Sequence, residues 1–526
     1  MTTAAPVTSL TKLEPTPEML QLEAEIGEVE SKLPNYSKSI LTVIMLLTVL
    51  EAFDRSMFST VQEDVRRHFR LSDFQISWLT GAFGAVAALA VVPLGFVTDR
   101  MKRVSILALG LIPWAFGMAG QGVATSFAML FVFRMFLGAL EPTGGQRSPA
   151  VNSLLADYYP VPDRQIVFGR LAIATILGYA AGPILGGLTA YWWGWQKAFI
   201  FWGGVGVAYF FVVRAALPEP PRGLQDALHR MTTRYQRLRL EQRRAAGAKV
   251  RAAMVGTNGD LPVAAPSVPL EVIRDELEMP LAEGFDYREL TSKQAIREVL
   301  RIKSLWLIYI GFAFTAFNGS LMATWPATFY RRYHGVSVVG AGLITGLNAL
   351  TAIIGIMLTT KIATALIRRG KANYRVLILT VCFGGSAVFW ALAFYADFTP
   401  ISLHFFVLGS ILATGPTALL FAMQADLVNP YLRGRSAAIA SVLGVVGTIS
   451  APIILGLIST EIGLRYALIV GVLPVGLVGA VVVLPALKIY ERDALHQQRE
   501  TVRQARLELA LRDDLGTAPA APMNGH

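Results

Sequence analysis

Twelve apolar stretches, each long enough to cross a lipid bilayer, dominate this sequence. A spanning helix needs about 20 mostly apolar residues, and the alternating segments of about 10 residues that mark a spanning β-strand are not visible. Of the 526 residues, 54% are hydrophobic and only 16% are charged. The sequence therefore predicts an all-α polytopic membrane protein. The stretches form two groups of six, at 39–62, 74–98, 104–123, 127–152, 167–191 and 196–217, and at 303–330, 338–366, 375–395, 400–428, 434–461 and 465–489.

The two groups repeat one pattern. Ala52-Phe53-Asp54 returns as Ala316-Phe317-Asn318, and Arg66-Arg67 returns as Arg331-Arg332, at offsets of 264 and 265 residues. Six helices, a linker and six helices in the same orientation form a parallel repeat, which predicts two six-helix bundles with a site between them. The predicted domains are an N-terminal tail (1–37), an N-terminal bundle (38–222), a linker (223–302), a C-terminal bundle (303–490) and a C-terminal tail (491–526).

The basic residues predict the orientation in the membrane. The net charge is +11, but Lys and Arg collect in alternate joins and in the linker, which is typical of cytoplasmic loops rather than of nucleic-acid binding. We therefore expect both termini in the cytoplasm, in a multi-pass protein of the plasma (inner) membrane. Arginines in the outer joins weaken this expectation, although acidic neighbours offset one cluster. The outer charges are Arg66, Arg67, Arg70, Arg331 and Arg332, with Glu63, Asp64 and Asp73 beside the first three.

Composition excludes several other classes of site. The only cysteine, Cys382, rules out an intramolecular disulfide and a Cys-based metal cluster, and we expect no metal and no cofactor. The N-terminus lacks the pattern of a cleaved signal peptide. A Walker A pattern is absent, so ATP hydrolysis by this chain is not expected. We also do not expect the protein to be an enzyme. The expected partners are the lipid bilayer, protons and a small organic substrate, and we expect a monomer.

Charged residues inside the apolar stretches are the main functional clue. The first stretch contains Glu51, Asp54 and Arg55, three or four residues apart, and the fourth contains Arg134 and Glu141, seven apart, so each set shares a helix face. Charges inside a membrane are costly and usually face a cavity with partners. Such a carboxylate can carry a proton, while a nearby arginine holds it ionised until substrate binds. The alternative is a structural ion-pair cluster without a role in transport.

Two motifs resemble those of a known family. The join after the second stretch reads Gly95-x-x-x-Asp99-Arg100-x-x-Arg103, which resembles the loop signature of the major facilitator superfamily. The fifth stretch reads Gly169-x8-Gly178-x3-Gly182-Pro183-x2-Gly186-Gly187, which is similar to the fifth-helix motif of proton-coupled antiporters in that superfamily. An ordinary basic loop and tight helix packing are the alternative interpretations.

The resemblance implies a secondary transporter that works by alternating access and is driven by the proton gradient. The fifth-helix motif favours export. The loop signature implies a cytoplasmic gate in which arginines bind acidic groups and latch the two halves, with a glycine at a close helix contact. The residues of this implied gate are Gly95, Asp99, Arg100, Arg103, Asp157, Arg164, Asp426 and Arg433.

Further residues resemble the spinster-like branch of the superfamily. They are Asp54-Arg55 in helix one, Arg134 with Gly138-x-x-Glu141 in helix four, and Trp325-Pro326-x-x-Phe329 in helix seven. Members of the branch move lysophospholipids or sphingoid phosphates, which implies an amphipathic, lysolipid-like substrate. Glu51 stands where the branch tends to have Asn. The anion:cation symporter branch shares two of these patterns, so an organic anion is the alternative substrate, and a receptor or scramblase-like protein on the same fold is the competing class.

The second half offers few charges to the predicted cavity, so we expect coupling in the N-terminal bundle. The candidates for substrate contact in the second half are polar or aromatic: Asn318, Trp325, Asn348 and Gln424. In the linker, the basic segment Leu224–Met254 is predicted to be an amphipathic helix, either on anionic lipid or as a solvated tether. In the N-terminal tail, the acidic segment Pro15–Lys32 is predicted to be a short helix in a solvated tail.

Overall fold

The computed structural model describes residues 14–31, 38–144, 148–255, 292–367, 374–429 and 432–497, and the regular structure assigned there is helical. Ten helical segments in these ranges are long and apolar enough to cross a membrane, which confirms the predicted all-α membrane fold. Residues 256–291 of the predicted linker and most of the predicted C-terminal tail lie outside the described residues.

Six helices or helix pairs of the N-terminal half coincide with the six predicted stretches, and four of them are among these ten segments. The six are α2 (Lys38–Phe69), α3 (Asp73–Arg100), α4 (Arg103–Gly122), the pair α5 (Phe127–Leu140) and α6 (Pro149–Tyr158), α7 (Arg164–Trp193) and α8 (Trp195–Ala216). Two peripheral helices accompany them, α1 (Pro17–Ser31) before the half and α9 (Leu224–Val255) after it.

The C-terminal half repeats this arrangement after a short helix, α10 (Ser292–Arg301). Its helices are α11 (Lys303–Thr324), α12 (Pro326–Tyr333), α13 (Val338–Ile367), α14 (Tyr374–Tyr395), α15 (Thr399–Thr414), α16 (Pro416–Leu427), α17 (Arg433–Ile462) and α18 (Leu464–Val483). The pair α15 and α16 forms one span. The halves meet where α7 packs on α13 and α3 packs on α17.

The fourth span is broken where the sequence predicted one continuous helix over 127–152. Helix α5 ends at Leu140, a 3-10 turn covers Glu141–Thr143, and α6 begins at Pro149. The break falls at Pro142, and a proline lacks the backbone N–H that a continuing helix would use. Glu141 therefore lies at a helix end, where the chain changes direction, rather than in the middle of a helix.

The glycines of the fifth-helix motif let α7 approach its neighbours. A Cβ at Gly182 would lie 2.5 Å from the carbonyl oxygen of Phe53 in α2, and one at Gly187 would lie 2.8 Å from the carbonyl oxygen of Val338 in the other half. Gly169, by contrast, has open space around it. The motif therefore places α7 against both α2 and α13, while its first glycine packs against nothing nearby.

The difference between Gly182 and Gly169 predicts that the same change, glycine to alanine, has different effects at the two positions. Gly182→Ala should destabilise the N-terminal bundle by about 1–3 kcal/mol, because the methyl group meets backbone that cannot move aside. Gly169→Ala should be neutral or stabilise by up to about 1 kcal/mol, because alanine is the better helix former. Thermal unfolding in detergent measures both variants. Equal shifts in melting temperature would contradict the packing role of Gly182.

Candidate functional site

A cavity of about 450 Å³ lies between the two halves. Helices α2, α3, α5 and α7 line it on one side and α11 and α13–α17 on the other. Arg55 and Arg134 are the charged residues of its described wall, and no acidic side chain joins them there. The opposite wall is neutral and carries Asn318, Asn348 and many hydroxyl groups. The hydroxyl-bearing residues of that wall are Thr315, Ser320, Thr324, Thr345, Thr351, Ser386, Ser410, Thr414, Thr417 and Thr448. The side that carries the arginines adds Ser56, Ser59, Thr80 and Tyr179.

Each cavity arginine has a carboxylate behind it. Arg134 is 1% exposed, and its Nη1 lies 3.6 Å from Oδ1 of Asp54, which is 3% exposed. The guanidinium lies between the rings of Phe58 and Phe83, at 4.3 Å from each centroid. Arg55 forms an ion pair with Glu141. The site is therefore two adjacent cation–carboxylate pairs, with the arginines facing the cavity.

The carboxylates do not line the central cavity as the sequence predicted. Asp54 is buried outside its wall, and Glu51 and Glu141 instead line a second, much smaller cavity of about 20 Å³. Leu107, Leu111 and other residues of α4 form part of that smaller space. The reason is position along the helix: Glu51 and Arg55 lie one turn apart on the same face of α2, and Arg55 reaches the central cavity whereas Glu51, one turn nearer Lys38, lines the small space beside α4. A substrate in the central cavity thus meets arginines first.

Several polar atoms on the cavity wall have no hydrogen-bond partner in the described structure. They include Oδ1 of Asn318, Oδ1 of Asn348, Oγ1 of Thr80, and Nε and Nη1 of Arg134. Buried polar groups are nearly always satisfied in folded proteins, so a cluster of such atoms around one cavity is suited to a polar ligand. The sequence correctly placed Asn318 and Asn348 at this site.

Two other residues that the sequence proposed for substrate contact, Trp325 and Gln424, lie outside the cavity wall. Trp325 is fully buried in the hydrophobic core, at the junction of α11 and α12, and does not line the cavity. Gln424 is also absent from the wall: its Nε2 donates to Oγ of Ser436 at 2.8 Å, and that hydroxyl bonds to Tyr309 at 2.7 Å. These two side chains therefore do not line the described cavity, and their contact with substrate stays a prediction. Helical position alone could not separate the cavity face of these helices from their packed faces.

An ion network joins the two halves at one end of the cavity. Arg332 in α12 bonds Oε2 of Glu63 at 2.8 Å and Oδ1 of Asp73 at 2.6 Å. Arg331 bonds both carboxylate oxygens of Asp64, at 2.6 and 2.8 Å. Ser459 in α17 donates to Asp73 at 2.5 Å. Acidic residues of the first half thus hold basic residues of the second, and we call this group the cross-bundle network.

The sequence drew attention to these residues but did not predict that they join the two halves. The arginines drew notice only as exceptions to the positive-inside pattern, and the acids only as local compensation. The usable signal was the repeat itself, because Arg331-Arg332 is basic at positions that match Arg66-Arg67 while acidic residues flank the arginines only in the first half. That asymmetry is typical of a contact between the copies.

Comparisons with known proteins decide the family. The model of the Major Facilitator Superfamily matches residues 44–383. The chain belongs to this superfamily. It is therefore a multi-pass integral membrane protein in a family of transporters, and its named relatives are transporters rather than enzymes.

Relatives within the superfamily carry several names. The D-galactonate transporter of Escherichia coli O6:H1 is 20% identical over 464 residues, covering 86% of this chain and 96% of that protein. The probable galactarate/D-glucarate transporter GudP of Pseudomonas putida is 24% identical over 439 residues, covering 81% and 85%. A crystal structure of a bacterial homologue of the human lysosomal transporter Spinster, inward-facing and unoccupied, has a TM-score of 0.62 at 20% identity, covering 88% of this chain and 99% of that one. That likeness shows the shared fold.

The superfamily's loop signature has a different geometry from the one expected. Arg103 is fully buried and bonds Asp157, Oε1 of Glu219 at 3.0 Å and Oγ of Ser153 at 2.9 Å, all within the N-terminal half. Arg103 therefore fastens helices of one bundle and does not latch the two halves in this conformation.

The other residues of the signature differ from Arg103. Asp99 and Arg100 are exposed, and the backbone oxygen of Asp99 accepts from Arg222 at 2.8 Å. Gly95 has open space where a Cβ would lie, so it serves no close helix contact here. Arg164 pairs with Asp226 at 2.7 Å, again within the first half and its linker.

The second half has a counterpart that the sequence did not reveal, because the loop signature there is eroded. Asp426, the repeat of Asp157, pairs with Arg375 at the start of α14 and accepts from the hydroxyl of Tyr490 at 3.0 Å. Burial raises the pKa of Tyr490, so this hydroxyl stays protonated at neutral pH. Arg433 is exposed and donates to the carbonyl oxygen of Ala425 at 3.3 Å. Arg375 thus takes the structural place that Arg103 has in the first half.

The contrast between Arg103 and Arg100 gives a prediction. Arg103→Gln leaves Asp157 and Glu219 without their shared cation, and breaking a buried ion pair costs about 3–5 kcal/mol. We expect a large fall in melting temperature. Arg100→Gln, three residues earlier and exposed, should change stability by less than about 0.5 kcal/mol. A thermal melt of each purified variant checks this, and similar melting temperatures would contradict the fastening role of Arg103.

Proposed function

We propose that this chain is a proton-coupled transporter that carries a small organic anion by alternating access. One observation supports this above the others: the charged groups of the described cavity wall are two arginines, each paired with a carboxylate behind it. Arginine binds carboxylates and phosphates through several donors in a fixed geometry. A carboxylate behind it supplies a place for a proton.

The pairing suggests how the anion and the proton are coupled. An anion that binds Arg55, the more exposed of the two arginines, competes with Glu141 for the same guanidinium, while Asp54 stays with the buried Arg134. A desolvated carboxylate that loses its cation is more stable as the neutral acid. Anion and proton then favour each other's binding, and linkage makes this coupling reciprocal. Positive coupling favours symport, and hence uptake down an inward proton gradient.

This proposal departs from the export that the fifth-helix motif favoured. In this structure the motif's glycines serve close packing of α7, at Gly182 against α2 and at Gly187 against α13. Tight packing of this kind serves either direction of transport. The arrangement of arginines and carboxylates is better evidence for the direction of transport than the motif is, because it determines whether substrate and proton bind together.

A hydroxylated carboxylate is the substrate class that we propose. Hydroxyl groups surround the cavity, and Oδ1 of Asn318 and Oδ1 of Asn348 are unsatisfied there. Relatives that span most of the chain are named as transporters of D-galactonate and of galactarate and D-glucarate, which are sugar acids. Their carboxylate would bind Arg55 and Arg134, and their hydroxyls would bind the opposite wall.

A lysolipid-like substrate is the second candidate. The cavity also contains aromatic side chains, among them Phe383 and Trp390, and solved structures of a spinster homologue share the fold. A phosphate headgroup would use the same arginines. The two candidates differ in the acyl chain, which needs a long apolar path beyond the described cavity.

We further propose that the closed end of the cavity is the outer one. Positive-inside topology places the termini and α9 in the cytoplasm, and the cross-bundle network lies at the opposite end of α2 from Lys38. The conformation is then inward-facing, with Arg332 closing the periplasmic side.

A panel of ligands tests the proposed function. Purified protein in detergent is heated with D-galactonate, D-glucarate or lysophosphatidylethanolamine, and proteoliposomes then measure uptake of those that stabilise it. We expect a sugar acid to raise the melting temperature and to accumulate when an inward proton gradient is imposed. Stabilisation and transport by the lysolipid alone would support the second candidate and overturn the first. Arg134→Gln, which removes a cavity cation, serves as the inactive control.

A further inference from the structure

The N-terminal helix α1 and the linker helix α9 carry opposite charges. Residues 14–31 contain six glutamates and no Lys or Arg, whereas Leu224–Val255 contains eight Lys or Arg and two acidic residues. The formal charges, −6 and +6, therefore cancel. Neither helix takes part in the cavity or in the cross-bundle network.

These helices pack on each other, although more than 190 residues separate them in sequence. Nη2 of Arg234 pairs with Oε1 of Glu18 at 2.7 Å, and Nε2 of Gln242 donates to the backbone oxygen of Glu14 at 2.6 Å. Met19 and Leu22 of α1 are 2% and 7% exposed. The N-terminal segment is thus a docked helix, and the expectation of a solvated tail is wrong.

Helix α9 has the composition of a helix that lies on a membrane surface. Leu228, Met231, Tyr235 and Leu238 are spaced three, four and three residues apart and form one partly buried stripe. Arginines project to solvent on both sides of this stripe, at Arg230, Arg237, Arg239 and Arg243. An apolar stripe flanked by basic residues is typical of interfacial helices that bind anionic lipid.

The start of α9 is held beside the membrane-embedded bundle. Helix α8 ends at Ala216, only seven residues before Gly223, whose N–H donates to Oδ1 of Asp157 at 3.0 Å. Asp226 in the first turn pairs with Arg164 at 2.7 Å. The first turn of α9 is therefore tethered next to the end of the membrane-spanning helix α8.

We propose that α9 is a docking surface for anionic phospholipid headgroups, and that α1 is the competitor within the same chain that covers its apolar stripe. In the structure α1 is docked. An anionic leaflet attracts the arginines of α9 and repels the glutamates of α1, so it favours release of α1. A neutral leaflet leaves the two helices together.

A distance measurement tests the proposal on the full chain. Ala24→Cys in α1 and Gln236→Cys in α9 change no charge, both positions are exposed, and Cys382→Ala removes the only native cysteine. Spin labels at the two sites report the separation of the helices by pulsed dipolar spectroscopy. The protein is compared in nanodiscs of phosphatidylcholine and in nanodiscs with added phosphatidylglycerol.

We expect a single short distance in phosphatidylcholine and a growing long-distance population as phosphatidylglycerol is added. Replacing Arg237, Arg239 and Arg243 by Gln should reduce the ratio of long to short population by on the order of 100-fold, since each basic residue near an anionic surface contributes about fivefold. A matched control removes the same charge from α10, by Gln at Lys293, Arg297 and Arg301, and should behave like the unsubstituted protein. Glu18→Gln with Glu23→Gln should release α1 at a lower phosphatidylglycerol content.

Two results would overturn the proposal. One is an unchanged distance distribution across all lipid compositions, which would make α1 a fixed part of the fold. The other is release that is equally strong in the α9 triple variant and in the α10 control, because release would then follow total charge rather than the surface of α9.

Discussion

Glu141→Gln should abolish proton-driven accumulation of the substrate while leaving exchange of substrate across the membrane intact. Glutamine keeps the shape of the side chain but carries no titratable proton, so Arg55 is available to the anion at every pH. Accumulation of radiolabelled D-galactonate or D-glucarate in proteoliposomes under an imposed proton gradient should fall to simple equilibration. Counterflow, which needs no net proton movement, should persist.

The control for this variant is Glu461→Gln, the same chemical change at an exposed site at the end of α17. It should accumulate substrate as the unsubstituted protein does. Binding of the anion to the Glu141→Gln variant should also depend less on pH than binding to the unsubstituted protein. Undiminished accumulation in that variant would show that Glu141 does not carry the coupled proton.

Arg332→Gln should shift the protein toward the state that is open at the cross-bundle network. Arg332 is the partner of both Glu63 and Asp73, whose side chains are 0% and 10% exposed. Breaking a buried ion pair costs about 3–5 kcal/mol because a desolvated charge remains. Opening hydrates those carboxylates, so the closed conformation loses most of that free energy relative to the open one. A shift of this size changes the ratio of conformations by more than about 100-fold.

Accessibility measures this shift. Thr417→Cys in the cavity wall, in the Cys382→Ala background, is labelled with a membrane-impermeant maleimide from each side of the membrane. With Arg332→Gln we expect faster labelling from the side of the network and slower labelling from the opposite side. Arg67→Gln is the matched control, because Arg67 binds the same Glu63 but is 62% exposed, and an exposed pair contributes at most about 1 kcal/mol. Equal labelling rates in both variants would show that the network does not close this end.

The sequence was enough to predict the fold, because a membrane span is recognised from the apolar composition of a long stretch of residues. The apolar stretches, their repeat and the loop signature all depend on residues that are visible without knowing which helices touch. The one break that mattered, at Glu141, was marked by Pro142 and the glycines after it, but the continuous hydrophobicity of the stretch concealed it.

The site was only partly predictable, because it depends on which turn of each helix reaches the cavity. Asp54, Arg55, Arg134 and Glu141 form one charged group, as the sequence predicted. The sequence could not tell that Arg55 reaches the cavity while Glu51, one turn away on the same face of α2, lines a separate small space beside α4. Contacts between distant segments, such as Arg332 with Asp73 or Arg234 with Glu18, depend on packing that no local pattern encodes.

The most direct test of the central claim measures proton uptake when the anion binds. Purified protein in weakly buffered detergent solution near neutral pH, with a pH indicator, is titrated with D-galactonate or D-glucarate. Because the anion displaces a carboxylate from its arginine, binding should draw protons from solution, with saturation at the same concentration as the thermal shift and with no uptake in Glu141→Gln. Saturable binding without proton uptake, or with proton release, would contradict the account.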